Sequence, residues 1–193
     1  NSAAARGLAL QTLEALGALE DESILRGLQD DHPGVRETAL QLAEPRLAKS
    51  TALFSRALAL ADDPDARVRF QCALTLGAMA EARILPALAK IAWRDASDRW
   101  ARAAVLSSIR TQAGEAQTDR FLELTLRSPL SWNHGTASFL DELGRMRGAS
   151  PTPWAIRGVR AHFTSTTSLP ERRRPWQSRS SSERPGRRSP GWR

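Results

Sequence analysis

The side chains most able to do chemistry in this sequence are pairs of adjacent carboxylates and three histidines. A carboxylate pair can share acid–base work or hold a cation, and His32 directly follows Asp30 and Asp31. The other pairs are Asp62–Asp63 and Asp141–Glu142. Because Asp62–Asp63 recurs at a second predicted helix start, capping and interaction with the helix dipole are favoured over catalysis. His134 lies in a predicted loop, where no nucleophile and base accompany it. The sequence therefore predicts no catalytic residue, no cofactor, no cofactor-binding residue and no metal ligand.

Two tryptophans and two arginines flank a predicted loop in the middle of the chain. Trp93 and Trp100 would either pack between neighbouring helices or form an aromatic contact with a partner. Arg94 and Arg99 carry donors suited to a carboxylate or a phosphate. These four residues are the candidates for a contact with a protein partner of unknown identity.

Acidic residues alternate with the basic ones around this loop. Asp95 and Asp98 lie among Arg94, Arg99 and Arg102. Because opposite charges at such short spacing neutralise one another, we predict a local ion-pair network here.

Net charge is distributed very unevenly along the chain. Residues 148–193 hold ten arginines, no lysine and two glutamates, a net of +8, whereas residues 1–147 hold 18 basic and 19 acidic side chains, a net of −1. Electrostatic attraction of nucleic acid is therefore expected of the terminal segment only.

The elements that carry these residues repeat with a period of 33 residues. A small apolar residue followed by arginine occurs three times at this spacing. Apolar residues four and eight positions later complete one face of an α-helix, and acidic residues, twice with proline, precede each copy as at a helix start. The repeat positions are Asp31, Pro33, Val35, Arg36, Asp63, Pro64, Val68, Arg69, Asp98 and Arg102.

This pattern predicts an all-α fold, an armadillo-like α-solenoid of about four antiparallel helix pairs over residues 1–147. Tyrosine is absent and valine and isoleucine are scarce, which disfavours strands. One helix pair cannot bury its own apolar face, whereas stacked pairs can. The single cysteine, Cys72, lies on the apolar face and is expected to be buried.

The run D-x-x-x-x-V-R-x-x-A-x-x-x-L-G, best matched from Asp63 to Gly77, resembles a HEAT repeat. The resemblance covers about residues 3–147. It implies antiparallel helix pairs stacked into a superhelix, with an Asp–Arg ladder between repeats. The residues that match the ladder roles are Asp63 with Arg69, Asp31 with Arg36, and Asp98 with Arg102.

A narrower resemblance rests on W-R-D-x-x-D-x-W-x-R-x-A-x-L-S-S, from Trp93 to Ser108. This stretch is similar to the HEAT segment of bacterial PVC-type haem-binding CxxCH proteins, or membrane-bound-dehydrogenase-like proteins. The resemblance implies a spacer between a β-propeller and a cytochrome c domain, in an extracytoplasmic location. The sequence has no CxxCH, so no haem ligand carries over to this chain.

The terminal segment, residues 148–193, is rich in Arg, Ser, Pro, Gly and Trp and lacks a helical apolar period. We predict that it is disordered. Three interpretations of this segment are open. It is a basic tail that binds nucleic acid, with Trp176 or Trp192 stacking on bases. Alternatively, it is an unstructured end without a partner, or the product of an out-of-frame translation. The chain begins at Asn1, which is typical of a fragment, and no apolar run is long enough to span a membrane.

The function predicted from these features is a non-catalytic protein–protein interaction or scaffold module. Stacked helices present a long surface, and the second helices or the loops between repeats would contact the partner. The alternatives are a spacer in a larger haem-c protein and a nucleic-acid binder acting through the tail.

Overall fold

The computed structural model describes residues 2–79, 81–112, 115–126 and 134–147. Within these ranges all regular secondary structure is helical, which confirms the all-α prediction. Short 3-10 turns lie at Glu44–Arg46, Leu60–Asp62 and Ala82–Ile84. The helices are α1 (Ala3–Ala15), α2 (Asp21–Gly27), α3 (Pro33–Ala43), α4 (Thr51–Ala59), α5 (Ala66–Gly77), α6 (Leu85–Arg94), α7 (Arg99–Gln112), α8 (Glu115–Leu126) and α9 (His134–Arg147).

The helices form two layers, as expected of a solenoid. In the first layer α1 packs on α3, α3 on α5 and α5 on α7. In the second layer α2 packs on α4, α6 packs on the 3-10 turn after α4, and α6 packs on α8. Each helix pair therefore buries its apolar face against the next pair, and the described helices form an α-solenoid.

The repeated apolar positions line the core between the two layers. All nine are buried, which confirms the helical face predicted from their spacing. Cys72 is among them, and its thiol donates to the backbone oxygen of Ala57 at 3.3 Å. Because Cys72 is fully buried in the core, its pKa lies far above the usual value. The nine positions are Val35, Ala39, Ala43, Val68, Cys72, Leu76, Ala101, Val105 and Ile109.

Helix capping differs in detail from the sequence prediction. Pro33 is the first residue of α3, but the ring nitrogen Nδ1 of His32 caps that helix by accepting from the Gly34 amide at 3.1 Å. The carboxylate of Asp65 caps α5 by accepting from the amide of Arg67 at 2.8 Å. Asp31 and Asp63 therefore do not cap the helices that follow them, because a closer residue supplies the acceptor.

Several predictions concern residues outside the described ranges. The disordered tail predicted at 148–193 and its predicted role in nucleic-acid binding both lie there. The domain boundary after residue 147 stays a prediction. No helix in the described part of the chain is long and apolar enough to cross a membrane.

Candidate functional site

An arginine links neighbouring repeats along the edge formed by the inter-repeat loops, and the arginines of the two central links, Arg36 and Arg69, are buried. In Arg36, Nε and Nη2 each donate to one carboxylate oxygen of Asp63 at 2.8 Å. Its Nη1 donates to the backbone oxygens of Asp30 and Asp31, at 2.7 and 3.0 Å. The guanidinium therefore holds the loop of its own repeat and the carboxylate of the following repeat at once.

The same two-pronged contact recurs along the solenoid. Arg69 also donates through Nη1 to the backbone oxygens of Asp63 and Pro64, at 2.7 and 2.9 Å. The further pairs are Arg6–Asp30, Arg69–Asp95 and Arg102–Glu142. In the last of these the carboxylate belongs to Glu142, in the middle of α9, whereas the carboxylates of the other pairs lie in loops.

The ladder pairs assigned by family resemblance are therefore wrong in register. The Asp63 carboxylate binds the arginine of the preceding repeat, Arg36, whereas Arg69 of its own repeat donates to the backbone oxygen of Asp63. Neither Asp31 nor Asp98 supplies a rung. The sequence analysis also missed Arg6, which could have been found as an arginine 30 residues before Arg36 in an apolar helix.

Hydrogen bonds from Arg6 lower the pKa of Asp30 below its usual value, despite the opposing effect of burial. A carboxylate with a lowered folded-state pKa stabilises the fold above its unfolded pKa of about 3.9, and this stabilisation is lost as pH falls through the folded value. We expect Asp30→Asn to lower the urea midpoint at pH 7, with the difference from wild type vanishing in strong acid. A constant difference at all pH values would contradict this assignment.

The other acidic pairs are also engaged in structure. Asp62 binds Lys90 at 2.6 Å, next to the ladder residue Asp63. Asp141 binds Arg145 one helical turn away, next to the ladder residue Glu142. Among the described residues, no group of three or more His, Cys, Asp or Glu side chains is arranged to hold a metal ion.

Trp93 is a packing residue. It is only 6% exposed, and its indole N–H donates to the backbone oxygen of Thr125 in α8. It therefore joins the third and fourth helix pairs, which favours the packing interpretation of Trp93.

Trp100, in contrast, lies on the surface in the first turn of α7. It is 62% exposed, and the guanidinium of Arg99 lies 4.7 Å from the centre of its ring. The carboxylate of Asp98 accepts from the Trp100 amide at 2.7 Å and so caps the helix. We call Arg99 and Trp100 together the Trp100 surface.

The predicted ion-pair network does not form at this surface. Asp95 binds Arg69 and Asp98 caps α7, and neither carboxylate forms an ion pair with Arg94 or Arg99 in the described part of the chain. Arg94 donates only to a backbone oxygen, at 3.2 Å. Within the described part of the chain, neither Arg94 nor Arg99 has a carboxylate partner.

Packing does not require a tryptophan at position 100. The equivalent positions one and two repeats earlier hold Arg67 and Gly34. The Arg67 side chain is 76% exposed. Because neighbouring repeats stack without an aromatic ring here, Trp100 is an added feature of the fourth repeat.

A shallow groove of about 370 Å³ lies between α1 and α3, lined by Leu8, Gln11, His32 and Thr38 among others. His32 has its Nδ1 engaged in capping α3. The groove therefore offers one imidazole edge and otherwise mostly apolar or neutral groups, which is not a catalytic constellation.

Comparison with known proteins agrees with this architecture. Residues 22–110, which run from α2 into α7, match the family model described as HEAT repeats. No curated protein and no solved structure matches the chain. HEAT repeats are generally non-catalytic and are commonly scaffolds for protein interactions. The described helices therefore form an α-solenoid, in which residues 22–110 are similar to HEAT repeats.

Proposed function

We propose that this chain is a non-catalytic protein-interaction module and that the Trp100 surface is its contact site. The observation that carries the proposal is an exposed tryptophan at a position where neighbouring repeats stack without one. Large exposed aromatic side chains beside arginine are the typical anchors of protein interfaces.

The ladder gives this surface a rigid base. Arg102, two residues after Trp100, donates through Nη1 to the backbone oxygen of Ala96 at 2.9 Å. Asp95, at the start of the same loop, is held by Arg69. Because both ends of the loop are anchored, little conformational entropy would be lost when a partner binds there.

The acidic pairs are engaged in structural contacts, which supports our proposal that the module is non-catalytic. Their carboxylates form ion pairs with Arg6, Arg36, Lys90, Arg102 and Arg145, with only Asp31 outside this set. Groups engaged in this way stabilise the stack and are poorly placed to exchange protons with a substrate.

Selection of random displayed peptides on the full chain tests the proposal. We expect enriched peptides that bind wild type and lose about tenfold or more in affinity on Trp100→Ala, as for an interface hot spot. Leu16→Ala is the matched control, because Leu16 is 73% exposed on a different repeat. Absence of any enriched peptide, or equal binding to wild type and Trp100→Ala, would refute the proposal.

The narrower functions stay predictions from sequence. A spacer role in a haem-c protein, with its extracytoplasmic location, rests on resemblance alone. Nucleic-acid binding by residues 148–193 concerns a part of the chain outside the described ranges.

A further inference from the structure

The helices of the first layer are all capped from the same position of the repeat. This position lies four residues before the ladder arginine, and its side chain accepts a hydrogen bond from an amide in the first turn. A hydroxyl or a carboxylate is the acceptor in three of the four, whereas a ring nitrogen is the acceptor in α3. The four capping residues are Ser2, His32, Asp65 and Asp98.

We infer that His32 is a pH-sensitive cap, which holds the start of α3 at neutral pH and releases it in mild acid. Its Nδ1 accepts from the Gly34 amide at 3.1 Å. A ring nitrogen can accept an N–H only while it carries no proton, so this cap requires the neutral imidazole. Histidine is the side chain that ordinarily gains its proton between about pH 8 and pH 5. The imidazolium also carries a positive charge beside the positive end of the helix dipole, which favours its departure.

Gly34 gives the imidazole ring its room over the helix start. A Cβ atom at position 34 would lie 3.2 Å from Nδ1 and 3.3 Å from Cε1 of His32. Where an aspartate is the cap, the same position of the repeat holds a large side chain, Arg67 in α5 and Trp100 in α7. The histidine cap and the glycine therefore belong together, because a ring needs more space than a carboxylate does.

Charged groups in the loop before α3 and on α1 attract the protonated ring away from the cap. Asp30 and Asp31 directly precede His32. Arg6 of α1 binds Asp30, whereas Asp31 forms no ion pair in the part of the chain that the structure describes. The α1 residues that line the groove beside His32 are uncharged. The carboxylate of Asp31 is therefore the group that favours a charged imidazole turned away from Gly34.

Charged groups on α3 and α5 keep the rest of α3 in place when the cap is lost. Arg36 holds the loop before α3 through two backbone oxygens, and Glu37 binds Arg67 of α5 at 2.7 Å. The change is therefore confined to the first turn of α3. His32 and Gly34 both line the groove between α1 and α3, so the rim of this groove becomes more mobile in mild acid.

Nuclear magnetic resonance of the full chain, labelled with ¹⁵N, tests this inference at about pH 8 and about pH 5. Long-range proton–nitrogen spectra report which ring nitrogen of His32 carries the proton, and exchange with water reports the protection of each amide. We expect the Nε2–H form at the higher pH. After correction for the intrinsic pH dependence of exchange, protection of the Gly34 amide should fall about fivefold at the lower pH, as for loss of an N-cap.

His32→Asn is the matched variant, because asparagine is among the best N-caps and does not titrate. Its Gly34 amide should keep the same protection at both pH values. The Arg67 amide of the wild-type chain is an internal control, since its acceptor is the Asp65 carboxylate. Carboxylates of this kind ordinarily stay ionised above about pH 4, so protection of the Arg67 amide should not change.

Three outcomes would overturn the inference. The first is the Nδ1–H form of His32 at about pH 8, which cannot accept from the Gly34 amide. The second is equal protection of the Gly34 amide at both pH values in the wild-type chain. The third is an equal loss of protection in His32→Asn or at Arg67, which would trace the pH dependence to groups other than the imidazole.

Discussion

Replacing Arg36 with alanine is expected to lower the free energy of unfolding by about 3–5 kcal/mol. The Arg36 side chain is 10% exposed and that of Asp63 is 3% exposed. Removal of the guanidinium leaves the Asp63 carboxylate buried without its counter-charge, and the backbone oxygens of Asp30 and Asp31 lose their donor. Urea denaturation followed by far-ultraviolet circular dichroism measures the change.

Arg67→Ala is the matched control for this prediction. Arg67 also binds a carboxylate of the neighbouring repeat, that of Glu37 at 2.7 Å, but the Arg67 side chain is largely exposed. Exposed pairs contribute up to about 1 kcal/mol, so the control should change little. The loss of unfolding free energy in Arg36→Lys should lie between those of Arg36→Ala and Arg67→Ala, because lysine keeps the charge and loses the forked geometry. Equal effects of Arg36→Ala and Arg67→Ala would show that the ladder does not hold the repeats together.

The fold could be predicted from the sequence because it depends on short-range periodicity. Val35, Val68 and Ala101 recur at 33 residues, and apolar side chains one and two helical turns later share their face. All of these residues are buried, as predicted. A repeat that must stack to bury this face leaves few alternatives to a solenoid.

The ladder partners could not be predicted in the same way, because they depend on distances between repeats. Arg36 could have paired with any of several nearby carboxylates in the sequence. Only the stacking of α3 on α5 brings Asp63 to Arg36. The last rung shows this most clearly, since Glu142 follows Arg102 by 40 residues and has no counterpart in the repeat pattern.

The two tryptophans illustrate the same limit at the candidate site. Trp93 and Trp100 have similar neighbours in the sequence, yet one is buried and the other is exposed. The difference arises because position 93 in α6 faces α8, whereas position 100 in the first turn of α7 faces away from the stack. The ion pairs of the loop likewise could not be predicted, because Asp95 binds Arg69 of the preceding repeat and none of the arginines next to it in the sequence.

Gly135→Ala is expected to destabilise the packing of α9 by about 1–3 kcal/mol, as overpacking does in a tight interior. A Cβ atom on Gly135 would lie 2.6 Å from the backbone carbonyl of Ala96 and from the backbone nitrogen of Ser97. These are main-chain atoms of the loop that precedes Trp100, and they cannot rotate away. The start of α9 would have to move, which also strains the Arg102–Glu142 contact.

Gly144→Ala on the same helix is the matched control, and its effect should have the opposite sign. A Cβ atom at Gly144 would meet nothing within 4 Å, so the only change is the better helix propensity of alanine, worth about 0.8–1 kcal/mol. Hydrogen exchange of amides in α9 measures both variants locally, with faster exchange expected for Gly135→Ala and slower exchange for Gly144→Ala. Slower exchange in both variants would mean that α9 does not pack against the loop before Trp100. The position of Glu142 opposite Arg102, which depends on this packing, would then be wrong as well.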